Sequence, residues 1–272
     1  MIDVDKKYSP ITDSDSRYFI VTGGRGSGKS YSINLMLVLL TYEAGHTILF
    51  TRFTLSSAYI SIIPEFIDKI ETLNIEQDFH ITKDEIVNKR SGSKILFKGI
   101  KTSSGDQTAN LKSLTNVSTW VMDEAEELVD ENIFDKIDLS VRNLKQQNRV
   151  ILILNPTTKE HFIYSRFFED KGVPPSSNLT KGNTTYIHTT YLDNAENLSQ
   201  SYLEQIENIK QRRPEKYKHQ MLGGWLNKAE GVIFNNWKIG AFKEVGVSVF
   251  GQDYGFASDE NTLVETNIDT VN

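Results

Sequence analysis

Eight consecutive residues, Gly23-Gly24-Arg25-Gly26-Ser27-Gly28-Lys29-Ser30, satisfy the pattern G-x-x-x-x-G-K-[ST] in full. Each residue type has a physical task in capturing a phosphate chain. Glycines reach backbone conformations closed to other residues, so successive N–H groups can turn inward toward phosphate oxygens. A helix starting at about Lys29 would add its positive N-terminal end. Lys29 would bridge the terminal phosphates, and the Ser30 hydroxyl would ligate Mg²⁺. The chemistry implied is binding of a nucleoside triphosphate, ATP above all, with its magnesium ion. A Gly-rich turn with a chance lysine is the bland alternative, and the strand–turn–helix setting of the motif argues against it.

Two further stretches fit the same chemistry. Asp123 and Glu124 close the run Trp120-Val121-Met122-Asp123-Glu124. A carboxylate at a strand end beside such a loop can hold Mg²⁺ through its water shell, which is the role given to Asp123. Glu124 would then position and polarise the attacking water. Taken alone, the pair reads equally well as an acidic helix start, because carboxylates favour the first helical turn. Asn155-Pro156-Thr157-Thr158 follows the apolar run Ile151 to Leu154, and its polar side chains could contact the γ-phosphate or its water. By itself it is an ordinary Asn-Pro turn.

These residues need a frame that brings distant strand ends together, and the pattern of the chain predicts one. Short β-branched and aromatic runs at Tyr18–Thr22, Thr47–Thr51, Ser118–Met122 and Arg149–Leu154 read as buried strands. Helical spacing appears at Ser30–Tyr42, Ser61–Leu73, after the acidic stretch as far as Leu144, and over 198–222 with a break near Pro214. Strands alternating with helices imply an α/β fold: a P-loop nucleoside-triphosphatase with a mostly parallel central sheet flanked by helices. Glu85–Asn88 and Lys94–Lys98, joined through Arg90-Ser91-Gly92, suggest a hairpin inserted in that frame. Lys171 to Asn183, rich in Pro, Gly and small polar residues, reads as a loop. Strand-like pieces recur at Val245–Gln252 and Thr262–Thr266, and two strands bury too little surface to stand alone, so this end is expected to be disordered or to pack on the preceding α/β domain or on a neighbouring chain.

Composition bounds the function classes. Thirty basic residues against thirty-six acidic ones give a net charge of −6, which argues against coating nucleic acid through bulk charge but allows a local basic patch. Lys94, Lys98 and Lys101, and the run Lys210, Arg212, Arg213, are the candidates. The chain has no cysteine, so disulfides and thiolate metal sites are excluded. The first ten residues lack the apolar stretch of a secretory signal, and Ile33 to Leu40 falls far short of the ~20 apolar residues of a spanning helix, so a soluble protein is expected.

The quoted motifs, together with LFTR at 49–52, SKILFKGI at 93–100, LKSLTNVSTWVMDEAEEL at 111–128, LNPTTKEHFIYSRFF at 154–168, IHTTYLDN at 187–194, GGWLNKAEGVIFNNW at 223–237 and FGQDYGFASDENTLV at 250–264, resemble the large terminase subunits of tailed phages, in particular the PBSX-like group. The resemblance implies that residues 1–210 form a packaging ATPase with a catalytic glutamate, 211–240 a helical linker or lid, and 241–272 the first strands of a truncated RNase-H-like nuclease domain. It implies ATP hydrolysis powering movement of viral double-stranded DNA into a procapsid. Arg25 looks like the arginine that terminases place in the loop to respond to the γ-phosphate, and Asn155 to Thr157 like the coupling motif. Arg142 matches a position where the family often has arginine, suited to a finger acting in trans, beside the equally good reading of a solvated surface arginine. Asp253 matches the first metal-binding carboxylate of the nuclease. Since a two-metal site needs several carboxylates from separate strands, nuclease activity is not expected of this chain. The implied partners are viral DNA, a portal protein, the small terminase subunit and further copies of this chain in a ring, in the host cytoplasm. The alternatives are a helicase-like or partitioning P-loop ATPase, a nucleotide-binding scaffold without turnover, and a metabolic kinase. A helicase would show further arginine motifs after Asn155, a scaffold has no need of Glu124, and a kinase would carry an arginine-rich lid.

Overall fold

The computed structural model describes residues 6–55, 58–102, 105–106, 116–227, 247–253 and 262–268. The β-branched and aromatic runs form strands β1 (Tyr18–Gly23), β2 (Thr47–Thr54), β3 (Phe79–Ile81), β4 (Glu85–Asn88), β5 (Lys94–Thr102), β6 (Gly105–Asp106), β7 (Thr119–Asp123), β8 (Arg149–Leu154), β9 (Leu179–Lys181) and β10 (Thr184–Thr189). They join in one sheet of order β3-β4-β5-β2-β7-β8-β1-β10-β9, with β6 on β5. The six central strands from β5 to β10 run parallel, and antiparallel strands border them on both sides.

Alternation along each strand divides the core into two layers, as a sheet covered on both faces requires. Phe19, Val21, Ile48, Phe50, Val121, Ile151 and Ile153 face the helices Lys29–Leu40 and Ile63–Thr72, where Ile33, Leu37, Ile63, Phe66 and Ile70 complete one cluster. Ile20, Leu49, Trp120, Met122, Val150, Leu152 and Leu154 point the other way, against Phe134 and Ile137 of the helix Glu131–Asp138 and Phe162, Ile163, Phe167 and Phe168. Trp120 is fully buried there, and its indole N–H donates to Thr51 Oγ1 at 2.9 Å, so the polar edge of this large side chain is satisfied.

Two expectations change. The pair β4–β5 is antiparallel, but it is not an insertion: β5 lies parallel to β2 from Thr47↔Lys94 to Thr54↔Lys101 and belongs to the main sheet. Its Ile95 and Phe97 are as buried as any core residue, which an inserted arm would not achieve. The helix after the acidic stretch begins at Glu131, capped by Asp130 accepting from Asn132 N at 2.8 Å, and stops at Asp138 instead of continuing to Leu144. Asn143 ends the possibility of further helix: its Oδ1 accepts from Lys145 N at 2.8 Å and Gln146 N at 3.0 Å, while its own N–H donates to Asn148 Oδ1 at 2.7 Å. An asparagine side chain that takes backbone donors in this way competes with the helical ladder.

The chain divides into two compact units, Met1–Glu230 and Gly231–Asn272. In the first, the Tyr191–Asn197 turn, the helix Gln200–Arg212 and the residues Pro214–Leu226 form a strap past β10. Arg213, with φ −143° and ψ 69°, breaks the helix before Pro214. In the second, β11 (Val247–Asp253) and β12 (Thr262–Ile268) pair antiparallel from Val247↔Ile268 to Asp253↔Thr262, with Val249, Phe250 and Val264 exposed. Residues 254–261 and the segments 111–115 and 228–237 of the quoted motifs lie outside the described residues.

Candidate nucleotide site

Strand β1 ends at Gly23, and the chain enters the helix Lys29–Leu40 through the Gly-rich loop. Gly28 precedes that helix at φ +75°, a left-handed conformation that glycine adopts without strain. The loop borders a cavity of about 300 Å³ lined by residues 24–31 and Asn155. Lys29 Nζ lies over its base. It donates to Gly24 O at 3.0 Å, Gly23 O at 3.2 Å, Ser27 Oγ at 3.3 Å and Asn155 Oδ1 at 3.0 Å. Burial lowers its pKa to about 8, against the opposing pull of Glu126 and Asp123.

Strand β8 lies between β1 and β7, so the ends of three neighbouring strands supply the site. β7 delivers Asp123, which is buried. Its Oδ1 accepts from Ser30 Oγ at 3.3 Å, and its Oδ2 takes Arg52 Nη2 at 2.6 Å and Nε at 2.9 Å. Glu124 follows at φ 55°, ψ 46°, a left-handed turn that is costly for a residue with a Cβ and is typical of functional positions. Burial raises the pKa of Glu124, and Arg52 Nε, 3.7 Å from Oε2, counters that shift. β8 delivers Asn155, whose Nδ2 donates to Glu126 Oε1 at 3.0 Å.

Ser30, Lys29, Asp123, Glu124 and Asn155 thus meet at one edge of the sheet. A hydroxyl and a carboxylate 3.3 Å apart are hard oxygen donors of the kind Mg²⁺ takes, and they fit that ion. Among the described residues no cluster of three or more acidic or imidazole side chains forms a metal site by itself. Arg25 is exposed at the cavity, and its backbone N–H is tied to Gln220 O at 2.8 Å. Thr157 contributes its backbone: its carbonyl accepts from Leu226 N at 2.8 Å, and Lys159 N donates to Leu226 O at 2.9 Å.

Arg142 is not brought to this site. It is exposed beyond the end of its helix, in the loop entering β8 at Arg149, whereas Asn155 leaves β8 at the opposite edge of the sheet. Asp253 belongs to the second unit, at the last position of β11. Of the basic candidates, Lys94 and Lys98 share one face of β5, and Lys210 pairs with Glu207 at 3.5 Å.

Several site residues escaped the sequence reasoning. Arg52 and Glu126 each sit inside a quoted motif without a role assigned to them. The strap is the larger omission. A Cβ on Gly24 would lie 1.9 Å from Met221 O, so only glycine allows the strap to lie on the loop. Asn194 Nδ2 donates to Gly26 O at 2.9 Å, and His188 joins Thr22 Oγ1 at 2.9 Å to Leu222 O at 3.0 Å. The quoted stretch IHTTYLDN holds both His188 and Asn194, but its order of residue types announces no partner.

With this geometry established, comparison with known proteins places the chain. The family model described as "Phage terminase large subunit" matches residues 15–224. The PBSX phage terminase large subunit of Bacillus subtilis is 26% identical over 94% of this chain and 62% of its own length. The terminase large subunit of Bacillus phage SPP1 is 27% identical over 92% and 60%. The chain therefore spans about three fifths of the curated relatives it matches. Among solved structures, a large terminase from a thermophilic bacteriophage aligns with TM-score 0.61 at 16% identity, over 97% of this chain and 63% of that one. That protein has also been solved with ADP and with ATP-gamma-S. The large terminase ATPase domain of Thermus phage P74-26 aligns with TM-score 0.56 at 16% identity, over 78% and 90%. These likenesses show a shared fold, and the family match over 15–224 shows that this chain belongs to the phage terminase large subunits.

Proposed function

We propose that this chain hydrolyses ATP to move viral double-stranded DNA into a procapsid. One observation carries the reading: Lys29, Ser30 and Asn155 line one cavity, and Asp123, hydrogen-bonded to Ser30 at 3.3 Å and followed by Glu124, stands beside it, so that three neighbouring strand ends supply the site. Inward N–H groups of the loop and Lys29 would hold the β- and γ-phosphates, and Ser30 and Asp123 would hold Mg²⁺. When bound, the ion neutralises charge that develops on the phosphates. Glu124 orients and polarises the attacking water, and its raised pKa makes it a better proton acceptor for that task. Arg25, exposed at the cavity mouth, would answer to the γ-phosphate.

The family and the relatives' names support a packaging role, with a portal, a small subunit and further copies of this chain as partners. Asp253 and the β11–β12 pair are proposed as the start of an RNase-H-like nuclease domain, with the exposed apolar side chains of the pair matching a sheet that further strands would cover. The test is the ATPase rate of purified protein with and without DNA, at rising protein concentration. Turnover stimulated by DNA is expected. Absence of turnover under every condition, with nucleotide still bound, would leave a binding module.

A further inference from the structure

Glu126 has no part in the roles given so far. It lies two residues after Glu124 on the short turn Ala125–Glu127. Its Oε1 accepts from Asn155 Nδ2 at 3.0 Å, and Asn155 Oδ1 in turn accepts from Lys29 Nζ at 3.0 Å. The other carboxylate oxygen, Oε2, is buried without a hydrogen-bond partner among the described residues. The Glu126 backbone is fixed as well. His161 Nδ1 accepts from Ile163 N at 3.2 Å, which leaves the ring proton on Nε2 to be donated to the Glu126 carbonyl at 3.2 Å. The segment leaving β8 therefore holds Glu126 twice, through Asn155 and through His161.

The direction of the Asn155 amide follows from its two neighbours. An ammonium offers only donors and an ionised carboxylate only acceptors. The carbonyl must face Lys29 and the NH₂ must face Glu126, since the reverse arrangement sets donor against donor and acceptor against acceptor. Asn155 lines the phosphate cavity, so it is an acceptor that Glu126 keeps turned toward the nucleotide. An acceptor there takes a hydrogen bond from a water beside the γ-phosphate and repels the phosphate oxygens themselves. An amide N–H would do the opposite: it would grip the phosphate and leave the water unheld.

We propose that Glu126 is a positioning residue for nucleotide turnover, acting through Asn155 to keep a carbonyl facing the terminal phosphate. The proposal rests on the ATPase reading above, and its test separates the two. Glutamine at 126 can both donate and accept, so in Glu126→Gln only Lys29 fixes the amide, and once Lys29 turns to the phosphates the amide is free to turn over. Affinity for Mg–ATP-gamma-S relative to Mg–ADP, measured by isothermal titration, should then rise about tenfold or more, the reach of one hydrogen bond to a charged group. The turnover number should fall about tenfold as the water loses its orientation, without a rise in KM. Glu126→Ala removes the acceptor altogether and should move the affinity ratio the same way, which covers a folding failure of either variant. In an Asn155→Ala background the ratio should no longer respond to Glu126→Gln. Parallel weakening of both nucleotides, or a shift that persists without Asn155, would overturn the proposal. A wild-type protein that fails to hydrolyse ATP while the ratio still shifts would sink the ATPase reading and leave Glu126 in its positioning role. Hydrolysis with an unmoved ratio would do the reverse.

Discussion

Lys29 is held by four protein oxygens, and burial lowers its pKa to about 8. Its ordinary value is 10.5. Because the folded value is depressed, the cost of burying this charge is fully present below about pH 8 and is relieved as pH rises toward 10.5. A bound triphosphate has the opposite preference, since it favours the ammonium. Nucleotide binding should therefore take up protons near pH 8, and affinity should fall as pH rises further. Titrations in buffers of different ionisation enthalpy measure the uptake directly, and equal apparent enthalpies in all of them would count against it. Lys29→Ala should abolish binding of a non-hydrolysable ATP analogue, and unchanged affinity would remove the phosphate-site assignment. Glu124→Gln should keep nucleotide affinity and lose about 10²-fold or more in turnover, the usual reach of a lost general base. A wild-type rate in that variant would make Glu124 an ordinary turn carboxylate.

At the scale of elements, the parallel strands β1, β2, β7 and β8 were legible because each is a short apolar run facing two helical layers. In sequence β5 reads as part of an inserted hairpin, and β10, whose threonines and histidine break up the apolar pattern, does not read as a strand. Arg149–Leu154 is found at the bounds the sequence indicates, and β1 and β7 differ from them only at their ends. The helix expected to reach Leu144 was not legible, because Asn143 ends the possibility of further helix through a side-chain contact that periodicity does not register. Strand order was equally hidden. That β8 separates β1 from β7 is a property of the packed sheet, and it is what places Asn155 beside Lys29. The strap was missed because its closest approach to the loop, Gly24 beneath the Met221 carbonyl with Arg25 N donating to Gln220 O, is backbone to backbone. Gly24→Ala tests that contact: the added Cβ meets a carbonyl oxygen that has no side-chain freedom to move away. The variant should melt earlier, by roughly the 1–3 kcal/mol of a strained backbone site, and should be cleaved faster by protease between Tyr217 and Leu226. Melting and cleavage like the wild type would show that the strap does not depend on this approach.

For the whole molecule, the proposed assembly of several copies bears on Arg142. Arg142 is exposed at the edge of the sheet away from its own cavity, so any action on nucleotide must be on that of another copy. Activity should then rise with concentration, and a mixture of Arg142→Ala with Glu124→Gln protein should recover part of the lost rate. No recovery at any mixing ratio would leave Arg142 as a surface residue. Asp253 ends β11, and among the described residues it joins no cluster of three or more acidic or imidazole side chains; one carboxylate by itself binds Mn²⁺ weakly. Supercoiled plasmid should remain intact in Mn²⁺ buffer, and cleavage that disappears in Asp253→Ala would reverse that expectation.

The position of β1 in the sheet has a consequence for how the protein is made. Its two neighbours, β8 and β10, are translated long after it: Tyr18 pairs with Val150 on one side and with Thr184 on the other. The phosphate loop emerges early from the ribosome as a peptide with both edges of its strand unpaired. Such an edge invites wrong pairing until its partners arrive, and the late arrival slows folding. A nascent chain that has not yet reached Thr189 lacks one of the two strands that hold β1, so it should bind ATP poorly however complete its glycine loop and acid pair are, and a chain interrupted there leaves one edge of β1 open to aggregation.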